Sequence, residues 1–171
     1  AYLHTAIVAD LAISRLEGIS QKNQEKIILE GINGSLSSND LSQQITFNTK
    51  AKGHTGSGAF TSLAITGTLE QPFTPQGSLN RENLSLSLDS KVEALPIPLL
   101  CAFICINPDV IHQLETVFGP TLDANIQAKL KQMQGPVYID LKGKNGHILV
   151  DATIANGVLF LNRNVETLVT V

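Results

Sequence analysis

Leu122-Asp123-Ala124-Asn125-Ile126-Gln127-Ala128-Lys129-Leu130-Lys131 is the stretch that decides the fold class. Apolar and polar side chains alternate through it without a break. Successive side chains of a strand point to opposite faces, so this pattern predicts a half-buried β-strand and is wrong for a helix, whose apolar stripe recurs every three to four residues. The same alternation spreads in both directions. Downstream, Val137, Ile139 and Leu141 alternate with Tyr138, Asp140 and Lys142, and His147–Ile154, Val158–Leu161 and a last stretch from Val165 to Val171 read as further strands. Upstream, Leu84, Leu86, Leu88, Val92 and Ala94 oppose Ser85, Ser87, Asp89, Lys91 and Glu93. Before them come Ala59, Thr61, Leu63, Ile65, Gly67 and Leu69, then Leu41, Ile45, Phe47 and Ala51, then Leu3, Ile7, Ala9, Leu11 and Ile13.

Turn chemistry separates these runs. Lys144-Asn145-Gly146 and Asn156-Gly157 predict hairpin turns, since Asn-Gly accepts the positive φ that two-residue loops demand. By the same rule Asn33-Gly34 predicts a turn after a short apolar burst at Lys26–Leu29, with a polar approach from Leu36 to Asp40, and Gly53–Gly58 predicts a flexible connection. The count is roughly eight to ten antiparallel strands.

The middle of the chain differs. Pro96-Ile97-Pro98 stops a strand. Leu99–Ile106 is apolar without alternation. Asn107-Pro108-Asp109 predicts a helix start, with a cap, a proline at the first position and an acid at the positive end of the dipole. Val110, Ile111, Leu114, Val117 and Phe118 follow at helical spacing, and Gly119-Pro120 closes the segment. The predicted architecture is mainly β: an antiparallel amphipathic sheet, a curled open groove or sandwich-like, with one or two short helices inserted around residues 98–118 and lying over one end or face. Residues 1–171 are expected to form a single domain. Because Ala1 opens the chain and Met133 is its one methionine, the expectation is an excerpt of a longer protein.

Composition narrows the function classes. The chain carries 12 basic and 15 acidic side chains, a net charge of −3, and no basic stripe of the kind nucleic acids require. Ser, Thr, Asn and Gln supply most of the polarity, which suits an exported or envelope-facing β protein. No stretch reaches the ~20 apolar residues that span a bilayer as a helix. Cys101 and Cys105 sit among Leu, Ile and Phe at one-turn spacing and are expected as buried apolar side chains, with a disulfide as the alternative, rather than as metal ligands.

Constellations for chemistry are missing from the sequence. His4, His54, His112 and His147 fall in four different elements with no metal-site spacing. Gly56-Ser57-Gly58 is not a nucleophile elbow, and Gly53–Gly58 has no phosphate-binding lysine. The carboxylates are scattered. The expectation is therefore a protein that is not an enzyme, with no cofactor and no metal.

The second half resembles a known family. The strand Leu86-Ser87-Leu88-Asp89-Ser90-Lys91-Val92-Glu93-Ala94-Leu95-Pro96, the apolar Pro98-Leu99-Leu100, the helix end Val117-Phe118-Gly119-Pro120-Thr121-Leu122-Asp123, and the hairpin from Asp151-Ala152-Thr153-Ile154 into Asn156-Gly157-Val158-Leu159 resemble the AsmA/TamB-type β-groove proteins of bacterial envelopes, in their chlamydial and planctomycete relatives, over residues 84–171. The resemblance implies an elongated curled sheet on the periplasmic side of the envelope. Its apolar face shelters lipid tails in lipid transport or outer-membrane biogenesis, and it has no catalytic residues to carry over. The implied partners are a phospholipid or another acyl-chain ligand and neighbouring β segments of the same full-length protein. The lane expected to face lipid is Ile45, Phe47, Leu63, Ile65, Leu86, Leu88, Ile126, Leu130, Val137 and Ile139. Pattern alone gives the same residues to the core of a sealed sandwich. That alternative is a binding or adhesion module working through loops such as Gly53–Gly58, Gln71–Gly77 and Lys142–Asn145, with Pro72 and Pro75 stiffening the second. A hydrolase would need a Ser, a His and an Asp brought together in space.

Overall fold

The computed structural model describes residues 4–19, 26–55, 60–97 and 108–169. It is mainly antiparallel β, with ten strands in one sheet. They are β1 (Ile7–Ile19), β2 (Lys26–Asp40), β3 (Gln44–Thr55), β4 (Phe60–Glu70), β5 (Ser85–Pro96), β6 (Thr121–Lys131), β7 (Gly135–Gly143), β8 (Gly146–Ala155), β9 (Val158–Leu161) and β10 (Glu166–Val169). Each of the first eight pairs with the next in sequence. Both β9 and β10 pair with the free side of β8, one along Ala152–Ala155 and the other along Gly146–Leu149. The two ends of the sheet do not pair with each other, so it stays open. All described strands belong to this one sheet, which realises the open arm of the expected architecture.

The alternating run from Leu122 to Lys131 lies in β6. It lies between β5 and β7 in unbroken antiparallel register from Leu122 to Ala128 on the β7 side. Pro96 ends β5 as expected, because a proline has no N–H to give the ladder. The hairpin at Asn156-Gly157 has φ of 52° and 73°, the primed turn that matches strand twist.

Two local readings are corrected. Asn33-Gly34 is no turn: both residues lie inside β2, where Gly34 pairs with Leu11 on one side and Thr49 on the other. A ladder on both flanks outweighs a local turn preference. The irregularity sits instead at Gly31, with φ of +58°, inside a register shift between Glu30 and Asn33. This bulge moves the apolar phase by one residue: Leu29 faces Gly53, whereas Leu36 faces Phe47. The polar approach from Leu36 to Asp40 is likewise strand. The second correction is at Gly53–Gly58, where Gly53, His54 and Thr55 continue β3. Gly53 keeps its place because Leu29 and Thr61 fill the space a side chain would need. Residues 56–59 lie outside the described residues.

One helix is described, α1 (Pro108–Phe118), beginning at the predicted proline. Gly119, with φ of +87°, donates its N–H to the carbonyl of Glu115 at 2.8 Å and closes it. The apolar segment expected as a further helix, with Cys101 and Cys105, lies outside the described residues. The best-buried cluster is Ile97, Phe118 and Leu122, with Leu114, Val117, Leu141 and Ile148 packed around it. The helix end thus rests on the β7–β8 hairpin and covers one rim of the sheet.

Candidate apolar binding face

Residues directly opposite each other in an antiparallel ladder project to the same face, so the register lays out the surface row by row. One row runs Ile45, Leu69, Leu86, Leu130. The next crosses the whole sheet: Ala9, Leu36, Phe47, Gly67, Leu88, Ala128, Val137, Ala152, Leu161. A third runs Leu11, Gly34, Thr49, Ile65, Ser90, Ile126, Ile139, Val150. The fourth is Ala51, Leu63, Val92, Ala124, Leu141, Ile148. None of these side chains carries a charge. All ten residues expected to line the lane fall in these rows, on one face.

The opposite face is polar. Its central row is Ser35, Asn48, Thr66, Asp89, Gln127, Tyr138, Asp151. Ion pairs also lie there, such as Lys91 with Glu93 at 2.6 Å. That contact, with help from the Ser62 hydroxyl, holds the Glu93 carboxyl below its ordinary pKa, and Glu93 in turn raises Lys91.

Exposure separates an open face from a sealed core. Of the ten lane residues only Ile45 and Leu130 are buried; Phe47, Leu63, Ile65, Leu86, Leu88, Ile126, Val137 and Ile139 remain partly exposed. Toward the first strand the face opens further, with Leu11 57% and Leu16 53% exposed. Phe47 lies over Gly67, whose missing side chain leaves room for the ring: a Cβ there would be 2.2 Å from Phe47 Cζ. The surface is therefore a field of half-buried aliphatic side chains interrupted by one flat ring, with neutral hydroxyls at Thr49 and Ser90.

Protein-family models, curated proteins and solved structures yielded no match to this chain.

Beyond the expected ten, the rows add Leu69, Val92, Leu141, Ile148 and Val150, all of which obey the same alternation as their neighbours. Leu36 is hidden in the sequence by the turn signal at Asn33-Gly34, whereas Leu11 belongs to the alternating run from Leu3 to Ile13.

The fold does bring a Ser, a His and an Asp together, at Ser42, His4 and Asp40. Their order is that of a turn. Ser42 donates both its hydroxyl (2.6 Å) and its N–H (2.9 Å) to Asp40 Oδ1, and His4 Nδ1 meets Asp40 Oδ2 at 2.9 Å. The serine bonds the carboxylate rather than the imidazole, so the relay order of Ser to His to Asp is not formed. His54, expected in a loop, stands half-buried on β3 with Nε2 3.8 Å from Glu30. His147 Nε2 lies 2.6 Å from Asp140 Oδ1 on the polar face, and His112 is exposed on α1. Among the described residues, no group of three or more His, Cys, Asp or Glu is placed to hold a metal ion, and no helix is long and apolar enough to cross a membrane.

Proposed function

We propose that this chain is a non-enzymatic section of a bacterial envelope scaffold, on the periplasmic side, that carries acyl chains on its apolar face in lipid transport or outer-membrane assembly. One observation supports the reading: uncharged rows of mostly apolar side chains share one face, one of them running from β1 to β9, and most of their side chains stay partly exposed. Contiguous apolar surface of this kind marks a contact site. Transfer of an alkyl chain onto it returns about 0.8 kcal/mol per buried CH₂ and needs no polar recognition. The envelope setting rests on the family resemblance of residues 84–171. In this reading β1, which has no partner on its outer side among the described residues, is where a neighbouring β segment continues the sheet.

The test is native mass spectrometry of detergent-free protein, with organic extraction of bound material. A reproducible phospholipid adduct supports the reading. Protein that stays bare, both as purified and after incubation with phospholipid vesicles, refutes it and favours a module that recognises partners through its loops.

A further inference from the structure

At the rim opposite α1, the β2–β3 turn (41–43) meets the β4–β5 connection (71–84) around a concavity off the apolar rows. Its volume is about 400 Å³, within the roughly 300–1,000 Å³ of small-molecule sites. Four carboxamides converge on it, from Gln43, Gln71, Asn80 and Asn83, and Phe73 and Pro75 give it an apolar wall. We propose that this pocket binds a neutral sugar unit.

Charge selects the ligand class. The lining holds no Lys, Arg, Asp or Glu, and its one titratable side chain, His4, is turned to Asp40, so an anion finds no unpaired cation there and a cation finds no carboxylate in the wall. The Asp40 carboxylate beside it is occupied by His4 and Ser42, which are also the remaining lining residues. What is left is neutral hydrogen-bonding capacity. Each carboxamide offers two donors and an acceptor in one plane, which suits neighbouring ring hydroxyls that both give and take protons. Much of that capacity is open. The Gln71 amide has no partner among the described residues. The contacts from Gln43 to Asp40 and from Asn83 to Asn80 are long, at 3.3 and 3.4 Å. An aromatic ring presents a negative face to the polarised C–H groups on the flat side of a pyranose, and Phe73 is only half-buried.

The pocket is also held in shape. Gln71 adopts a φ of +49°, a region where glycine would sit without strain, and its N–H bonds the Gln43 carbonyl at 2.7 Å, tying the two segments together. Phe73 bridges to Leu79, Thr74 donates to Ser78 at 2.8 Å, and Asn80 donates to the carbonyl of the fully buried Pro72 at 2.9 Å. A site whose groups are fixed beforehand loses less on binding. This inference does not depend on the acyl-chain reading.

Saturation-transfer NMR on the full chain tests it, with N-acetylglucosamine and cellobiose as probes and succinate as a proton-bearing anion. Ring protons of at least one sugar are expected to receive saturation, and succinate none. Gln71→Gly keeps the backbone conformation and removes the amide, so sugar affinity should fall about fivefold with the thermal midpoint kept or raised. Asn83→Ala, which leaves the strained position untouched, should weaken binding similarly. The proposal is overturned if neither sugar is saturated, if succinate is saturated as strongly, or if both variants bind sugar like the parent chain.

Discussion

A Cβ built on Gly143 would lie 2.1 Å from the carbonyl oxygen of Phe118 and 2.6 Å from its Cβ, so α1 stands directly on the backbone of the β7–β8 hairpin. Gly157, in the next hairpin, has no heavy atom within 4 Å of such a position and only its φ of +73° to defend. Gly143→Ala must displace backbone and is expected to cost about 1–3 kcal/mol. Gly157→Ala should cost about 1 kcal/mol, the price of a left-handed alanine. Urea midpoints of the two variants should rank in that order, and equal midpoints would mean the helix does not rest on the hairpin. A second residue-scale effect is electrostatic. The Ser42 hydroxyl first, then His4, pull the Asp40 carboxyl down to about 2 from its ordinary value of 3.8. A carboxyl whose pKa is lower in the folded state stabilises the fold above its unfolded pKa, and that contribution fades as pH falls through the folded value. Asp40→Asn should therefore be less stable than the parent near neutral pH, and the gap should narrow between about pH 4 and pH 2. A gap that is constant across that window in denaturation curves would contradict the ionic origin.

Elements were legible where alternation and turn chemistry agreed. β4 and β6 to β8 follow the period-two pattern of their own sequences, as does β5 as far as Val92, and α1 starts at Pro108 and stops at Gly119 because capping is a local matter. β2 was not legible, since its Asn33-Gly34 signal is local while the two ladders that overrule it come from β1 and β3. Nor does sequence announce the left-handed Ala94 (φ 51°), which makes the bulge of β5 and gives its N–H to Asp123 at 2.7 Å across the ladder. The ten lane residues could be assigned to one face because a strand's parity is readable. The rim pocket could not, because its carboxamides come from separate turns that only the fold brings together. The elements also differ in how they end the sheet. At one end β8 is covered by two four-residue strands, β9 and β10, and short strands are a common protection of an edge. At the other, β1 is 13 residues long, with Val8 75% and Leu11 57% exposed. Long apolar edges template pairing with further strands. Sedimentation velocity of the parent chain should show association rising with concentration, and the double variant Val8→Lys, Leu11→Lys should abolish it. Unchanged association would place the contact elsewhere.

At the scale of the whole molecule, surface and core are out of proportion. The chain exposes 10985 Å², about a third more than the roughly 8,100 Å² of a compact monomer of its mass. The excess fits one open sheet whose apolar rows have no second sheet among the described residues to seal them. A face that is simply an unfilled core and a face that carries lipid respond differently to one buried charge. Ile126 sits mid-lane between Ser90 and Ile139, while its neighbour Gln127 points to the polar side between Asp89 and Tyr138. Ile126→Asp places a carboxylate among alkyl chains, where an unpaired charge costs several kcal/mol or must take up a proton. Gln127→Asp adds the same charge one residue away, in water. If the rows carry acyl chains, native mass spectra should lose the phospholipid adduct in Ile126→Asp and keep it in Gln127→Asp, with both variants retaining the parent's far-ultraviolet β signature. Equal loss in both would assign the adduct to general electrostatics. Equal retention would place the lipid off the lane, and the apolar rows would then await a protein surface instead of an acyl chain.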